Sequence, residues 1–415
     1  GERKDGIKTI LTKAVYSPCM VCKENPEKAP LWQLKASTIV HDKNTREIRY
    51  QNARLELYGV PIAYTPFFSH PDPGVNRKSG FLTPSFGLSG NLGAFIQAPY
   101  FWAIDESKDA TFSPIYIRDA GVVFAGEYRQ QFNSGEFMLS GSIAEADRNI
   151  GANFTEGVRR NEIRGHIFSK GRYEIDETWR TGFDVERATD RSYLQRFNFF
   201  GNRNNTLTSN AYIEGFRGRS YAAANTYIYQ NLRSGLLPNT PLVSPMLDFK
   251  HVGTPTRFGG RFDLDANFLS IYRADATNTQ RASLKAAYEI PFISEAGHIT
   301  TFGTTLQSDL YYVQQADNSI EKDGFTGRVF PQLAVNWRYP LVRTAGRTRQ
   351  VIEPIAALVL SPNGSNSAET PSEDSVVVEL DDTNILNADR FPGIDRVESG
   401  QKVIYGVKLG VFGDS

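Results

Sequence analysis

From Gly80 onward, apolar and polar residues alternate with a period of two, in runs of about ten residues separated by turn-forming clusters. In residues 280–290, Ala282, Leu284, Ala286, Tyr288 and Ile290 face one way, and Arg281, Ser283, Lys285 and Glu289 the other. In residues 402–411, Val403, Tyr405, Val407, Leu409 and Val411 oppose Lys402, Gly406, Lys408 and Gly410. The same pattern recurs at 81–89, 95–104, 109–118, 122–132, 136–144, 163–175, 178–187, 207–216, 220–230, 242–251, 261–272, 301–313, 328–339 and 349–360. The expectation is an all-β chain with about sixteen strands in this part, most long enough to cross a bilayer when tilted.

Residues 1–68 read as a section of their own. Trp32, Leu34, Ala36, Thr38 and Val40 alternate with Gln33, Lys35, Ser37 and Ile39, and after the turn-like HDKNTRE the alternation resumes with Ala53, Leu55 and Leu57. These are half-buried strands with one wet face, as in a sandwich, jelly roll or β-solenoid. Too few to close a core alone, they read as the end of a larger β-domain. Residues 69–79, SHPDPGVNRKS, read as a linker.

Loop lengths sort by end. The connections DESKD, NSG, DE, RGR, TPT, SEAG and VRTAGRT are short, whereas at the other end 145–161, 188–206, 231–241, 314–324 and 361–401 are long, after two brief first connections at 90–93 and 119–121. Outer-membrane barrels have short periplasmic turns and longer outer loops. Residues 80–415 are therefore expected to form an antiparallel transmembrane β-barrel, with the N-terminal section in the periplasm. No 40–50-residue propeller repeat competes with this reading.

Composition narrows the function classes. Lys plus Arg and Asp plus Glu balance at 46 each, so no basic field points to nucleic acid. No apolar run reaches 18 residues, which excludes a membrane-spanning helix but not a barrel. The opening GERKDG carries no charged-then-apolar leader and reads as a processed or truncated start. No GxSxG, HExxH, P-loop or dinucleotide fingerprint occurs, so no enzyme and no cofactor is expected. The two cysteines, Cys19 and Cys22 in PCMVC, lack further ligands for a metal, since the five histidines are scattered. A structural disulfide in an oxidising compartment fits them better.

Pro84, Pro99 and Pro114 fall within the first three strands of the barrel region. Proline has no N–H and removes a ladder hydrogen bond. Either these residues bend the sheet as edge or bulge prolines, or they weaken pairing so that the wall can part sideways, with Pro114 as an additional strand break. In hydrocarbon an orphaned backbone N–H costs several kcal/mol, and a proline has none to orphan.

Three blocks, WQLKASTIVHD, NARLELYGVPIAYTPFFSHPDPGVNRKSGFLTPSFG and APYFWAIDESKDATFSPIYIRDAG, resemble the LptD family of lipopolysaccharide-assembly outer-membrane proteins, also called organic solvent tolerance proteins. The likeness is strongest over 18–129 and returns in RFPGIDRVESGQKVIYG. It implies a periplasmic β-jelly roll ending at residue 68, which receives lipopolysaccharide from a periplasmic bridge protein of the LptA type. It further implies a large barrel in contact with outer-membrane lipids and plugged by a lipoprotein of the LptE type. Cargo would leave through a lateral gate between the first and last strands, with Pro84 and Pro99 matching the family's gate prolines. Cys19 or Cys22 matches a family cysteine that pairs with cysteines near the barrel's C-terminus; whether the two pair locally or with distant partners stays open. The family's barrel has more strands than are counted here, so the chain is expected to hold an incomplete part of it. The competing reading is a passive sixteen-stranded outer-membrane porin.

Overall fold

The computed structural model describes residues 1–4, 7–17, 32–72, 74–75, 77–89, 92–149, 158–197, 204–233, 240–315, 323–377, 379–381 and 384–413. The chain is all-β, with one four-residue helix among the described residues. It divides into two compact units, Gly1–Gln130 and Gln131–Ser415.

The first unit begins with an antiparallel sheet of β1 (Glu2–Lys4), β2 (Lys8–Tyr16), β3 (Trp32–Asp42), β4 (Glu47–Leu57) and β5 (Val60–Pro71), paired in chain order. Leu34, Ala36, Ile39, Ile48, Tyr50 and Ala53 form its core, with Ala14, Tyr16 and Leu55 packed against them. Ile39 is buried although simple alternation from Leu34 and Ala36 gives that place to Val40. The cause is a row of residues left out of the ladder at one level. By register, Lys13, Ser37 and Asn52 lie side by side on β2, β3 and β4. Lys13 and Asn52 take φ of +50° and +51°, in the left-handed region. Side chains of the same strand therefore change faces across this row. Ser37 Oγ donates to Gln51 O at 2.8 Å, and Asn52 Nδ2 donates to Ser37 Oγ at 3.2 Å, holding the kink. The β3–β4 turn is held by Asp42 Oδ1, which accepts the Asn44 and Thr45 N–H groups at 3.0 and 3.4 Å.

Beyond this sheet come β6 (Gly80–Phe81), β7 (Ser85–Ser89), β8 (Gly93–Gln97), β9 (Tyr100–Ala103), β10 (Lys108–Ile117) and β11 (Gly121–Phe132). The second unit continues with β12 (Gly135–Asn149), β13 (Val158–Glu174), β14 (Trp179–Ala188), α1 (Tyr193–Arg196), β15 (Thr206–Arg217), β16 (Ser220–Asn231), β17 (Leu242–Val252) and β18 (Arg261–Tyr272). It ends with β19 (Asn278–Ile293), β20 (Ile299–Gln314), β21 (Gly324–Arg338), β22 (Leu341–Ala345), β23 (Thr348–Leu360) and β24 (Gln401–Gly413). From β12 onward every neighbour pairs antiparallel, with β21 and β22 both lying against β23. β6 to β24 are nineteen elements, and β6 with β7, β8 with β9 and β21 with β22 are halves of interrupted strands. Among the described residues sixteen strands remain, each overlapping one expected from the alternation. Gly218 and Gly346, at φ +59° and +60°, provide the left-handed residue of two-residue turns.

The burial of this sheet is inverted relative to a water-soluble protein. On β19, Ala282 and Leu284 are exposed while Thr279, Arg281 and Ser283 are buried. On β20, Leu306 and Leu310 are exposed and Gln307 and Asp309 buried; on β21, Val329 and Leu333 are exposed and Gln332 buried. Val403, Tyr405, Val407, Leu409 and Val411 of β24 are all exposed. A monomer in water rarely shows so large a contiguous apolar surface.

Candidate functional site: a proline row and a covered polar face

In the first unit, Phe81 pairs with Tyr100 and Ser85 with Gln97. Leu82, Thr83 and Pro84 on one strand therefore oppose Ala98 and Pro99 on the next, three residues against two, which is a β-bulge. Across the gap the Leu82 N–H donates to Pro99 O at 2.8 Å. β10 holds one register with both halves of its neighbour, Gln97 facing Ile115 and Tyr100 facing Phe112. Pro99 is thus level with Ser113, and Ala98 with Pro114, whose carbonyl accepts the Ala98 N–H at 3.2 Å.

Three prolines fifteen residues apart in sequence therefore lie within one residue of the same level across three neighbouring strands. Pro84 and Pro99 interrupt their strands. Pro114 does not: β10 runs unbroken through it, paired to Phe124, so it is not an additional strand break. The four strand halves beside the row are two to five residues long, against ten for β10 and twelve for β11. Phe81 and Phe86 project from the same stretch with 78% and 83% of their surface exposed. Phe81 meets Tyr100 edge to face, ring centroids 5.2 Å apart.

The strand start is fastened at three successive residues. Arg77 donates to Asp109 Oδ2 at 2.5 Å and to Glu106 O at 2.6 Å. Lys78 Nζ donates to Glu47 Oε1 at 2.6 Å on the N-terminal sheet, and Ser79 Oγ accepts the Ala103 N–H at 2.9 Å. His41 Nε2 and Asp72 Oδ2 share a further hydrogen bond just past the end of β5. In the adjoining turn, the Ser107 hydroxyl and N–H both donate to Asp105, holding its carboxyl down at about 2. Cys19 and Cys22 lie outside the described residues.

The second unit carries features that alternation does not reveal. Tyr339 and Pro340 interrupt the strand formed by β21 and β22, and Tyr339 N–H donates to Pro354 O at 3.0 Å. Register is unchanged on either side, Arg338 facing Ile355 and Leu341 facing Ile352, so this break has no bulge. The Tyr-Pro pair inside an apolar run was the available sign of it. Arg164 and Asp190 form a buried two-bond pair, 2.8 Å at each contact, and Ser192 Oγ accepts from Arg164 at 2.8 Å. Burial opposes ionisation of Asp190, but Arg164 and the Ser192 bonds outweigh it and hold the carboxyl below its usual range. This ties the connection bearing α1 to β13, with Tyr193 and Phe197 fully buried.

The described residues of the connection 361–400 fold over the polar face of β19 to β21. Their neck is closed by Ser361 N–H to Gly400 O at 3.1 Å and Gly400 N–H to Pro362 O at 3.2 Å. Asp395, 1% exposed, accepts from Arg281 at 2.6 Å, from Tyr311 at 3.0 Å and from the Glu373 and Asp374 N–H groups at 2.6 and 3.1 Å. Asp374 pairs with Arg281 at 2.7 Å, and Glu373 with Arg273 at 2.6 Å. Arg390 and Glu398 pair within the segment. Among the described residues no group of three His, Cys, Asp or Glu side chains is arranged to hold a metal.

The chain is similar to "LPS-assembly protein LptD" of Nitrosococcus oceani, 26% identical over 428 residues that cover 98% of this chain and 54% of that protein. The protein of the same description from Yersinia pestis is 23% identical over 98% of this chain and 52% of its own length. That of Escherichia coli is 23% identical over 100% and 53%. The chain thus spans about half the length of the curated relatives it matches. A bacterial polysaccharide outer membrane secretin of known structure covers 80% of the chain at 10% identity and a TM-score of 0.26, too slight a likeness to build on. The family model described as "LptD: LPS transport system D" matches residues 162–415, well over half of the sequence, and the chain belongs to that family.

Proposed function

We propose that this chain is part of an outer-membrane translocon that takes lipopolysaccharide from a periplasmic bridge and inserts it into the outer leaflet. Residues 1–68 would be the end of a periplasmic jelly roll whose last strand, β5, runs on to Pro71, so that the linker expected at 69–79 starts after it, and 80–415 would be part of the barrel. The observation that carries the membrane assignment is the inverted burial of β19 to β24, since only lipid makes an exposed band of Leu, Val and Tyr favourable around a buried charged face. Family membership supports lipopolysaccharide as cargo, a plug of the LptE type and a bridge of the LptA type as partners, and transport rather than catalysis.

The lateral gate is assigned to the proline row. Each ladder bond is worth only about 0.5–1.5 kcal/mol net in water, but an orphaned donor in hydrocarbon costs several. Pro84 and Pro99 remove donors where the wall would part, so separation there orphans fewer groups than at any unbroken pair. A passive porin has no use for such a row or for a fastened N-terminal sheet.

A photo-crosslinking residue at Thr83 or Tyr100 of the full-length protein should capture lipopolysaccharide in the cell envelope. Capture at neither position, with capture elsewhere in the chain, would remove the gate from this seam.

A further inference from the structure

We propose that Arg273 just past the end of β18, with Arg281 and Arg328 on the polar face of β19 and β21, forms a phosphate-binding site, and that Glu373, Asp374, Ile394 and Asp395 of the covering segment occupy it as an internal stand-in for the ligand. The inference rests on the reading of lipopolysaccharide, a phosphate-bearing glycolipid, as cargo.

The donors belong to the strand framework and the acceptors to the covering segment. Arg273, one residue past β18, holds both oxygens of Glu373, at 3.1 and 2.6 Å. Arg281 on β19 holds Asp374 and Asp395 through one nitrogen, at 2.7 and 2.6 Å. Arg328 on β21 donates to the carbonyls of Ile394 and Asp395 at 2.5 and 2.7 Å, and to Asp309 of β20 at 2.6 Å. Thr279 and Tyr311 add hydroxyl donors to Glu373 and Asp395, at 2.9 and 3.0 Å. Guanidinium forks and hydroxyls converging on oxygen anions are the arrangement that also recognises phosphate. Arg281 Nε is buried with no acceptor, a spare donor on the same side chain.

Charge accounting points the same way. The segment brings three carboxylates to this face: Glu373, Asp374 and Asp395. Without it, Arg273 and Arg281 would lose the carboxylates that pair with them, and Arg328 would keep Asp309. The segment's carboxylates hold these guanidinium groups by charge-assisted bonds, so an anion able to make the same bonds competes with the segment for the site. A phosphate-bearing sugar in the barrel would supply it. The cargo would then displace the segment from these donors, and in its absence the segment's own carboxylates keep them.

The test uses the full-length protein in detergent with a photo-crosslinking residue at Gln332, whose side chain donates to Ala388 O at the margin of the covered face. The probes are lipopolysaccharide, the same lipopolysaccharide after enzymatic dephosphorylation, and inorganic pyrophosphate as competitor. Asp374→Asn with Asp395→Asn should raise capture of phosphorylated cargo several-fold, and millimolar pyrophosphate should suppress that rise. Dephosphorylated cargo should show none, and adding Arg281→Gln should abolish the gain. Glu373→Gln, which leaves Asp374 and Asp395 in place, should give a smaller rise and serves if the double variant does not fold. No rise in either variant, or an equal rise with dephosphorylated cargo, overturns the proposal. Capture at Thr83 or Tyr100 without any change at Gln332 rejects this inference alone, whereas capture at none of the three positions rejects the cargo assignment.

Discussion

The N-terminal sheet and the strands of the second unit are written in the same period-two alphabet but buried in opposite senses. In the first, Leu34, Ile39, Tyr50 and Ala53 are buried, and charged side chains such as Lys35 and Arg49 are exposed. In the second, Arg281, Asp309 and Asp395 are buried and Leu284, Val329 and Leu409 exposed. Alternation specifies that a strand has two unlike faces; it does not say which one meets the surroundings. That is decided by the medium, because an apolar face is driven out of water but not out of lipid. The buried polar face then needs partners for every charge, and the long connections at 188–206 and 361–400 supply them.

The largest effect should come from removing one such partner. Arg164→Met leaves Asp190 buried without its counter-charge, which costs about 3–5 kcal/mol. Arg164→Met combined with Asp190→Leu should recover most of it. Urea unfolding of the full-length protein in lipid vesicles measures both. If the single variant is as stable as wild type, the buried charges are not what holds this face together. The next effect addresses the exposed side directly. Leu284 and Val15 are exposed to nearly the same degree, 49% and 52%. Leu284→Arg should cost about 2–4 kcal/mol, as for a cation near the bilayer midplane, whereas Val15→Arg should stay within about 0.5 kcal/mol. Equal costs in the vesicle assay would abolish the contrast between the two regions.

Much of the architecture was legible in the chain. All sixteen barrel-region strands were marked by alternation, because that pattern is local and every strand here has two unlike faces. The kink through Lys13, Ser37 and Asn52 was not, since it needs three strands in register and has no sequence signal beyond an asparagine that tolerates φ above zero. Pro84 and Pro99 stood out as prolines within strands, yet their alignment with Pro114 required the pairing register, and only that register shows that Pro114 leaves its strand whole. The covering segment was invisible for a different reason. Arg273 and Glu373 are separated by a hundred residues, and a stretch rich in Asp, Ser, Asn and Pro reads as a solvated loop until its acceptors meet those arginines.

The smallest expected effect is a difference in response to acid. Hydrogen bonds from Lys8, Lys78 and Lys35, in that order, lower the carboxyls of Asp42, Glu47 and Glu56 in the N-terminal sheet against the opposing effect of burial. Each is more acidic folded than unfolded, so its contribution is present above the ordinary carboxylate range and is lost as pH falls through the lowered value. In the covering segment burial raises Asp389 and Asp395. A raised carboxyl has the opposite dependence: its contribution is present at low pH and is lost as pH rises through the raised value. Despite burial, Arg273 lowers Glu373, and the Ile394 N–H together with Arg281 lowers Asp374, so the segment holds contributions of opposite sign. Between about pH 5 and pH 3, amide exchange in β2 to β4, corrected for intrinsic rates, should speed up while exchange around residues 389–397 stays nearly level. Lys8→Gln and Lys35→Gln should flatten the response of the N-terminal sheet, because they remove the pairs whose loss it reports. If the covering segment loosened first, its carboxylates would be held by their ionised pairs alone, and burial would not be setting their titration.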